Sequence, residues 1–254
     1  MDIELSRDGG VLTLAFNRLE KKNAITSAMY QTLADALQEA GRDASVRVIV
    51  IAGQPQIFTA GNDLEDFVKN PPSGAQSPVF QFMQHMIACT KPIIAAVAGP
   101  AVGIGTTLLL HCDLVYAAEN AKFSMPFSQL GLCPEFASSL LLPQLAGGRR
   151  AAEKLLMGEP FLAAEAAAMG LVNRILPADE LLPFVAAQAA KLAALPASSV
   201  RTTKRLMMAS GVEAIQARIA EENSAFSAML RAPEAKEAFA AFFEKRKPDF
   251  SRFV

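Results

Sequence analysis

The sequence predicts an α/β fold built on a parallel sheet and followed by an all-helical C-terminal part. Three observations carry that reading. Runs of β-branched residues alternate with amphipathic segments, glycine-containing turns follow the buried runs, and beyond Glu135 strand patterns give way to alanine-rich helical ones.

Taken in order, residues 3–6 and 11–16 flank Asp8-Gly9-Gly10 and read as a hairpin. Thr26 is placed to cap a helix running to about Ala40, with Ala28, Met29, Leu33, Ala36, Leu37 and Ala40 along one face. VRVIVI (46–51) is the near-continuous apolar run of a strand covered on both faces. The unit then recurs: a helix over 79–89 precedes a strand over 93–97, and a short helix over 105–111 precedes a strand over 114–117. Helices between strands imply parallel pairing through right-handed crossovers. NPPSGAQSP (70–78) breaks the pattern as a mobile loop, placed to act as a lid. Beyond Glu135 only 171–176 reads as strand, and helices are expected over 178–195, 198–209, 212–231 and 233–245. The expected division is an α/β core over 1–190 and a helical region over 191–254. Its wide apolar faces pack on the core or on a neighbouring subunit.

Composition narrows the class. With 254 residues, 52% apolar and 19% charged, the chain suits one large domain or a domain with a small appendage, and an ordered chain with a sizeable core is expected. A net charge of −1 gives nothing to steer the protein toward nucleic acid or a membrane surface, and Lys245, Arg246 and Lys247 read as a solvated helix end. Cys89, Cys112 and Cys133 lack CxxC spacing, lie in apolar contexts and read as buried, reduced thiols. The acidic N-terminus has no apolar signal region, the terminal SRFV is no targeting tail, and no window of ~20 uninterrupted apolar residues occurs. The expectation is a cytoplasmic protein without a membrane span.

Two turns carry the candidate chemistry. FTAGNDL (58–64) follows the strand over 46–51, and in AGPAVGIGTT (98–107) Gly103 and Gly105 open a helix whose first amides have no intrahelical acceptor. This is no dinucleotide fingerprint, because Leu108 stands where a third glycine belongs. Turns at the C-terminal ends of neighbouring strands can converge on one ligand oxygen, although each alone also reads as a plain tight turn. Asp63, Glu65 and Asp66 lack the histidines or regular spacing of a metal site, so no metal is expected. Downstream, LCPEFASS puts Glu135 at the start of a predicted helix. Alone, it also reads as an acid after Pro134 that stabilises the helix dipole. His111 reads as a packing residue, and Ser138 and Ser139 have no evident base.

The motifs FTAGNDL, AVAGPAVGIGTTLLLHCDLVYAAENAKF and PFSQLGLCPEFASS, in this order and over nearly the whole chain, resemble the crotonase (enoyl-CoA hydratase/isomerase) superfamily. The resemblance implies a spiral of ββα units, a helical C-terminal trimerisation region, and a homotrimer or dimer of trimers. It also implies an acyl-CoA thioester substrate and no cofactor, coenzyme A being part of the substrate. It assigns the two carbonyl-holding amides to Asn62 and Ile104. Substrate contacts fall on Ala24, Ala60, Gly61, Asn62, Asp63, Leu64, Gly103, Phe127, Leu132, Phe242 and Lys245, with Lys21 and Lys22 nearby. Family hydratases carry two glutamates where this chain has Thr107 and Phe127, neither of which can move a proton. Glu135, eight residues beyond Phe127, instead matches the PFSxLGxxPExxSS pattern of peroxisomal-type Δ3,Δ2-enoyl-CoA isomerases. The implied reaction shifts a double bond from the 3 to the 2 position through one glutamate. Phe127, Leu130, Leu132 and Phe136 are its expected walls. The alternatives are another acyl-CoA reaction of the family (hydratase, hydrolase or decarboxylase) and a non-catalytic acyl-CoA binder. A carboxylate in an apolar pocket counts against the binder.

Overall fold

The computed structural model describes all residues except Ser73, Ala75 and Val254. The N-terminal half runs β1 (Ile3–Asp8), β2 (Val11–Phe16), α1 (Ser27–Arg42), β3 (Val48–Ala52), α2 (Leu64–Lys69), α3 (Pro78–Ala88), β4 (Ile93–Val97) and β5 (Pro100–Val102). It continues with α4 (Ile104–Thr107, extended by a 3-10 turn at Leu108–His111), β6 (Leu114–Ala118) and β7 (Lys122–Ser124). Next come α5 (Ser138–Ala146), α6 (Gly148–Ala152), β8 (Phe161–Leu162), α7 (Ala163–Ala168) and β9 (Arg174–Leu176). The chain then runs through α8 (Ala178–Ala194), α9 (Ala197–Met208), α10 (Val212–Met229) and α11 (Pro233–Phe243).

The strands form a six-stranded sheet of order β1-β2-β3-β4-β6-β9 and a three-stranded sheet of order β5-β7-β8. Apart from the β1–β2 hairpin, every pair in the large sheet is parallel. The recurring unit is a strand of the large sheet, a short strand of the small sheet and then a helix, as in β4-β5-α4 and β6-β7-α5. This is the expected α/β architecture of ββα units.

Period-two alternation assigns the two faces of the large sheet. Ile49, Ile51, Ile93, Ala95 and Val97 pack in one cluster with Met29, Leu33 and Leu37 of α1 and Phe82, Met83 and Met86 of α3. Val48, Val50, Ala52, Ile94 and Ala96 face Leu181, Val185 and Ala189 of α8. Because α8 covers the second face through residue 193, the division expected at 190 falls inside one helix. Thr26 caps α1 as read, its side chain accepting from the Met29 N–H.

The strands of the small sheet are implied by the resemblance but are not marked by the residue pattern. They are two or three residues long, too short for alternation to show. Helices α2, α6 and α7 were likewise not foreseen, the helix expected to start at Glu135 begins at Ser138, the strand expected over 46–51 begins at Val48, and that over 171–176 shrinks to Arg174–Leu176. Arg246 is no idle helix end: it binds Glu237 and Glu244. The three thiols are free, with Cys89 buried and Cys112 and Cys133 only partly so. The lid expected over 70–78 includes Ser73 and Ala75, which lie outside the described residues. Among the described residues, no single helix is long and apolar enough to cross a membrane.

Gly61 has φ 85°, and a Cβ there would stand 2.6 Å from the Val102 carbonyl oxygen. Gly61→Ala is therefore expected to cost about 2–3 kcal/mol in denaturant unfolding. Gly41→Ala, whose Cβ meets nothing within 4 Å in α1, should be neutral or stabilising by up to about 1 kcal/mol. Equal stability of the two variants would refute the close packing at Gly61.

Candidate active site

The two glycine turns lie side by side. The first is held from one side by Ile25, whose N–H donates to the Gly61 carbonyl (2.8 Å) and whose carbonyl accepts from the Asp63 N–H (2.9 Å). This parallel bridge uses the residues flanking Asn62, so the Asn62 N–H points away from Ile25. From the other side the turn is strapped to β5: Thr59 N–H donates to the Pro100 carbonyl and Val102 N–H to the Thr59 carbonyl, both at 3.0 Å. Gly103, at φ 56°, then swings the chain out of β5 into α4, and Ile104 becomes the first helical residue. Its N–H belongs to the set a helix leaves unpaired at its positive end. Among the described residues neither the Asn62 nor the Ile104 N–H has a protein acceptor.

The acids beside the first turn have structural employment. Asp63 accepts from Arg18 (2.7 Å) and caps α2 through the Asp66 N–H, while Asp66 accepts from the Ser27 N–H and from Asn70.

Glu135 differs from the expectation in its local setting. It stands three residues ahead of α5 rather than at a helix start, because Phe136 and Ala137 both take left-handed backbone, φ 57° and 55°. Such conformations cost about 1–3 kcal/mol each and persist only where their surroundings impose them. Here the Phe136 ring stacks on His111 at 3.8 Å, and His111 Nε2–H donates to the Phe136 carbonyl at 2.7 Å. Burial holds the His111 imidazole down to about 4, so it is neutral and works as a strut, the packing role read from the sequence. Ser138 Oγ–H donates to the Glu135 carbonyl at 2.6 Å.

The N-terminus of α5 is capped by a different carboxylate. Glu222 of α10 accepts from the Ala137 N–H (2.6 Å), the Ser139 N–H (3.0 Å) and the Ser139 hydroxyl (2.5 Å). Glu135 is thus free of dipole duty. It is only 5% exposed, and its Oε1 has no hydrogen-bond partner among the described residues. Burial first, and the Glu222 charge second, push its carboxyl from 4.5 up to about 8.

A cavity of about 580 Å³ opens beside the turns. Of the residues singled out from the sequence, Ala24, Ala60, Gly61, Asn62, Asp63, Leu64, Gly103, Ile104, Phe127, Leu130, Leu132 and Phe242 all line it, as do Lys21 and Lys22. Two do not. Phe136 is wholly buried beneath the site, occupied by His111, and Lys245 is exposed outside the lining. Glu135 lines a small adjoining cavity of about 20 Å³. The two spaces share Phe67 and Phe226, an edge-to-face pair with centroids 6.2 Å apart. The small cavity in turn shares Phe80 and Asn223 with a groove of about 420 Å³ between α3 and α10. Thr107 is buried in α4 with its hydroxyl unpartnered among the described residues, and Phe127 forms wall; neither position supplies a charge.

Sequence reasoning missed Tyr30, Glu222, Phe67 and Phe226. Tyr30 shares the apolar face of α1 with core residues and so reads as packing. The others sit on helices whose docking partners lie far away in sequence. No local spacing marks them.

Comparison with known proteins identifies the family of the chain. Residues 6–252 match the family model described as enoyl-CoA hydratase/isomerase. Enoyl-CoA delta isomerase 2 from Rattus norvegicus is 36% identical over 97% of this chain, which spans 64% of that relative's length. The 2,3-dehydroadipyl-CoA hydratase of Escherichia coli K12 is 33% identical over 98% of both chains. The solved structure of Pseudomonas aeruginosa OdaA superposes with a TM-score of 0.93 at 50% identity, covering 95% of this chain and 98% of that one. By its fold, by its two glycine turns and by the match along nearly its whole length, the chain belongs to the enoyl-CoA hydratase/isomerase family.

Proposed function

We propose that the protein is a Δ3,Δ2-enoyl-CoA isomerase that uses Glu135 as its sole proton carrier. The observation that carries this reading is a buried carboxyl with an oxygen unpartnered among the described residues, adjoining a cavity lined by Asn62 and Ile104, whose N–H groups also lack an acceptor there. Thr107 and Phe127 leave no second carboxylate to activate a water for hydration.

In the proposed reaction the thioester oxygen of an acyl-CoA accepts from the Asn62 and Ile104 N–H groups. The acyl carbons beyond it pass the Phe67–Phe226 pair toward Glu135. Glu135, ionised, takes a proton from C2; the electron pair delocalises onto the thioester oxygen as a dienolate. Each amide donor aimed at that developing charge contributes on the order of 3–4 kcal/mol to lowering the barrier. The protonated Glu135 then returns the proton at C4, leaving the double bond between C2 and C3. Apolar walls exclude water from the dienolate. No cofactor or metal enters this scheme. A homotrimer or dimer of trimers and a cytoplasmic setting belong to the same proposal.

Glu135→Gln is expected to lower conversion of 3-enoyl-CoA to 2-enoyl-CoA by at least about 100-fold while acyl-CoA binding persists, both followed in one absorbance and titration series. Full activity in this variant would overturn the proposal, and so would rapid hydration of 2-enoyl-CoA by the native protein. The same substitution should raise the melting temperature. A carboxyl whose affinity for protons is raised on folding stabilises the native state only while protonated, and that contribution is lost as pH rises from 4.5 through about 8. The gain from Glu135→Gln should therefore widen between pH 5 and pH 9, and a gap that stays constant would contradict a buried, proton-retaining Glu135.

Because the base must be ionised, kcat/KM should fall about tenfold per pH unit below about 8. Glu222→Gln removes the neighbouring negative charge and should move this acid limb to lower pH. An unmoved limb would show that Glu222 does not tune the base.

A further inference from the structure

Asn62 has no backbone hydrogen bond among the described residues, since Ile25 engages Gly61 and Asp63 on either side of it. Beyond the bridge that holds its neighbours, its own direct hydrogen bond is made by its side chain. The Tyr30 hydroxyl, reaching from α1, donates to Asn62 Oδ1 at 2.5 Å. Tyr30 is 3% exposed, its ring tilts against Phe82 of α3 at 5.6 Å, and both rings belong to the main core cluster. A phenol anchored in this way is a fixed point, whereas the turn it touches lines an open cavity. Burial first, and then the nearby Glu135 carboxylate, push the Tyr30 phenol well above its ordinary range, so it stays a neutral donor. Tyr30 therefore meets both halves of the candidate chemistry, by contact at Asn62 and through the field of Glu135.

We infer that Tyr30 is a positioning residue, which clamps the Asn62 carboxamide so that the Asn62 N–H stays aimed at the substrate's thioester oxygen. This inference rests on the isomerase reading. A donor that must sit about 3 Å from a developing oxyanion loses much of its effect when its peptide drifts by 1 Å, and such misplacement costs on the order of 100-fold. A clamp on the side chain restrains that peptide without occupying the cavity.

The test is a double-mutant cycle on the full-length protein, with 3-enoyl-CoA as substrate. Tyr30→Phe, which keeps the ring and removes the donor, is expected to lower kcat by about 10- to 100-fold with KM changed less than about threefold. Asn62→Ala keeps the backbone N–H and removes the acceptor, and should do the same. The double variant should be no worse than the poorer single one, because both remove one interaction. Multiplicative losses in the double variant, or a kcat within twofold of native in either single variant, would overturn the inference. If Tyr30→Phe fails to fold, the kcat of Asn62→Ala decides alone by the same criterion. Glu135→Gln runs alongside: its inactivity with an unaffected Tyr30→Phe sinks the clamp and leaves the isomerase reading standing, whereas an active Glu135→Gln sinks the reading itself.

Discussion

Two backbone bridges, Ile25 to Asn62 and Thr59 to Ala101, are the constraint on which the site depends. The first fixes the turn at Asn62 against the segment before α1, and the second straps that turn to β5, close enough that a methyl group on Gly61 would collide with the Val102 carbonyl. The Ile25 bridge leaves the Asn62 N–H without an acceptor among the described residues, and Gly103 turns the chain out of β5 so that the Ile104 N–H at the start of α4 is left without one as well. A buried N–H without an acceptor is ordinarily costly, so the arrangement is useful only where a ligand oxygen supplies the missing partner.

The second half of the site is built on stored cost. Two consecutive non-glycine residues in the left-handed region, an uncapped carboxyl in apolar surroundings and an unpartnered threonine hydroxyl all lower stability. The surrounding contacts offset them: the His111–Phe136 stack, the Ser138 hydroxyl, and above all the three hydrogen bonds of Glu222. Glu222, whose own carboxyl is pushed up by burial, does two things. It satisfies the start of α5 and it raises the proton affinity of Glu135. A neutral cap would do the first without the second.

The C-terminal helices consequently complete the site rather than merely follow it. Helix α10 brings Glu222 and Phe226, and α11 brings Phe239, Phe242 and Phe243 to the cavity formed by the N-terminal turns. Phe242 remains 58% exposed and Lys245 points to solvent, so the far end of the cavity is open on this chain.

Much of the architecture was written in the sequence by itself. The β-branched runs at β3 and β4, the Thr26 cap of α1, the Gly9-Gly10 hairpin and the long alanine-rich helices are all local signals, each set by periodicity or by a single residue's backbone preference. The glycine turns and Glu135 were legible too, because their residue types and order form a pattern that does not depend on distance. Only the tertiary structure decided that Glu135 is not a helix cap, that Phe136 supports the site from below instead of walling it, and that Glu222 and Tyr30 belong to the site at all. These are consequences of contacts across 85 and 32 positions of sequence, and of backbone angles imposed from outside the segment. Neither kind of information resides in a local pattern of residues.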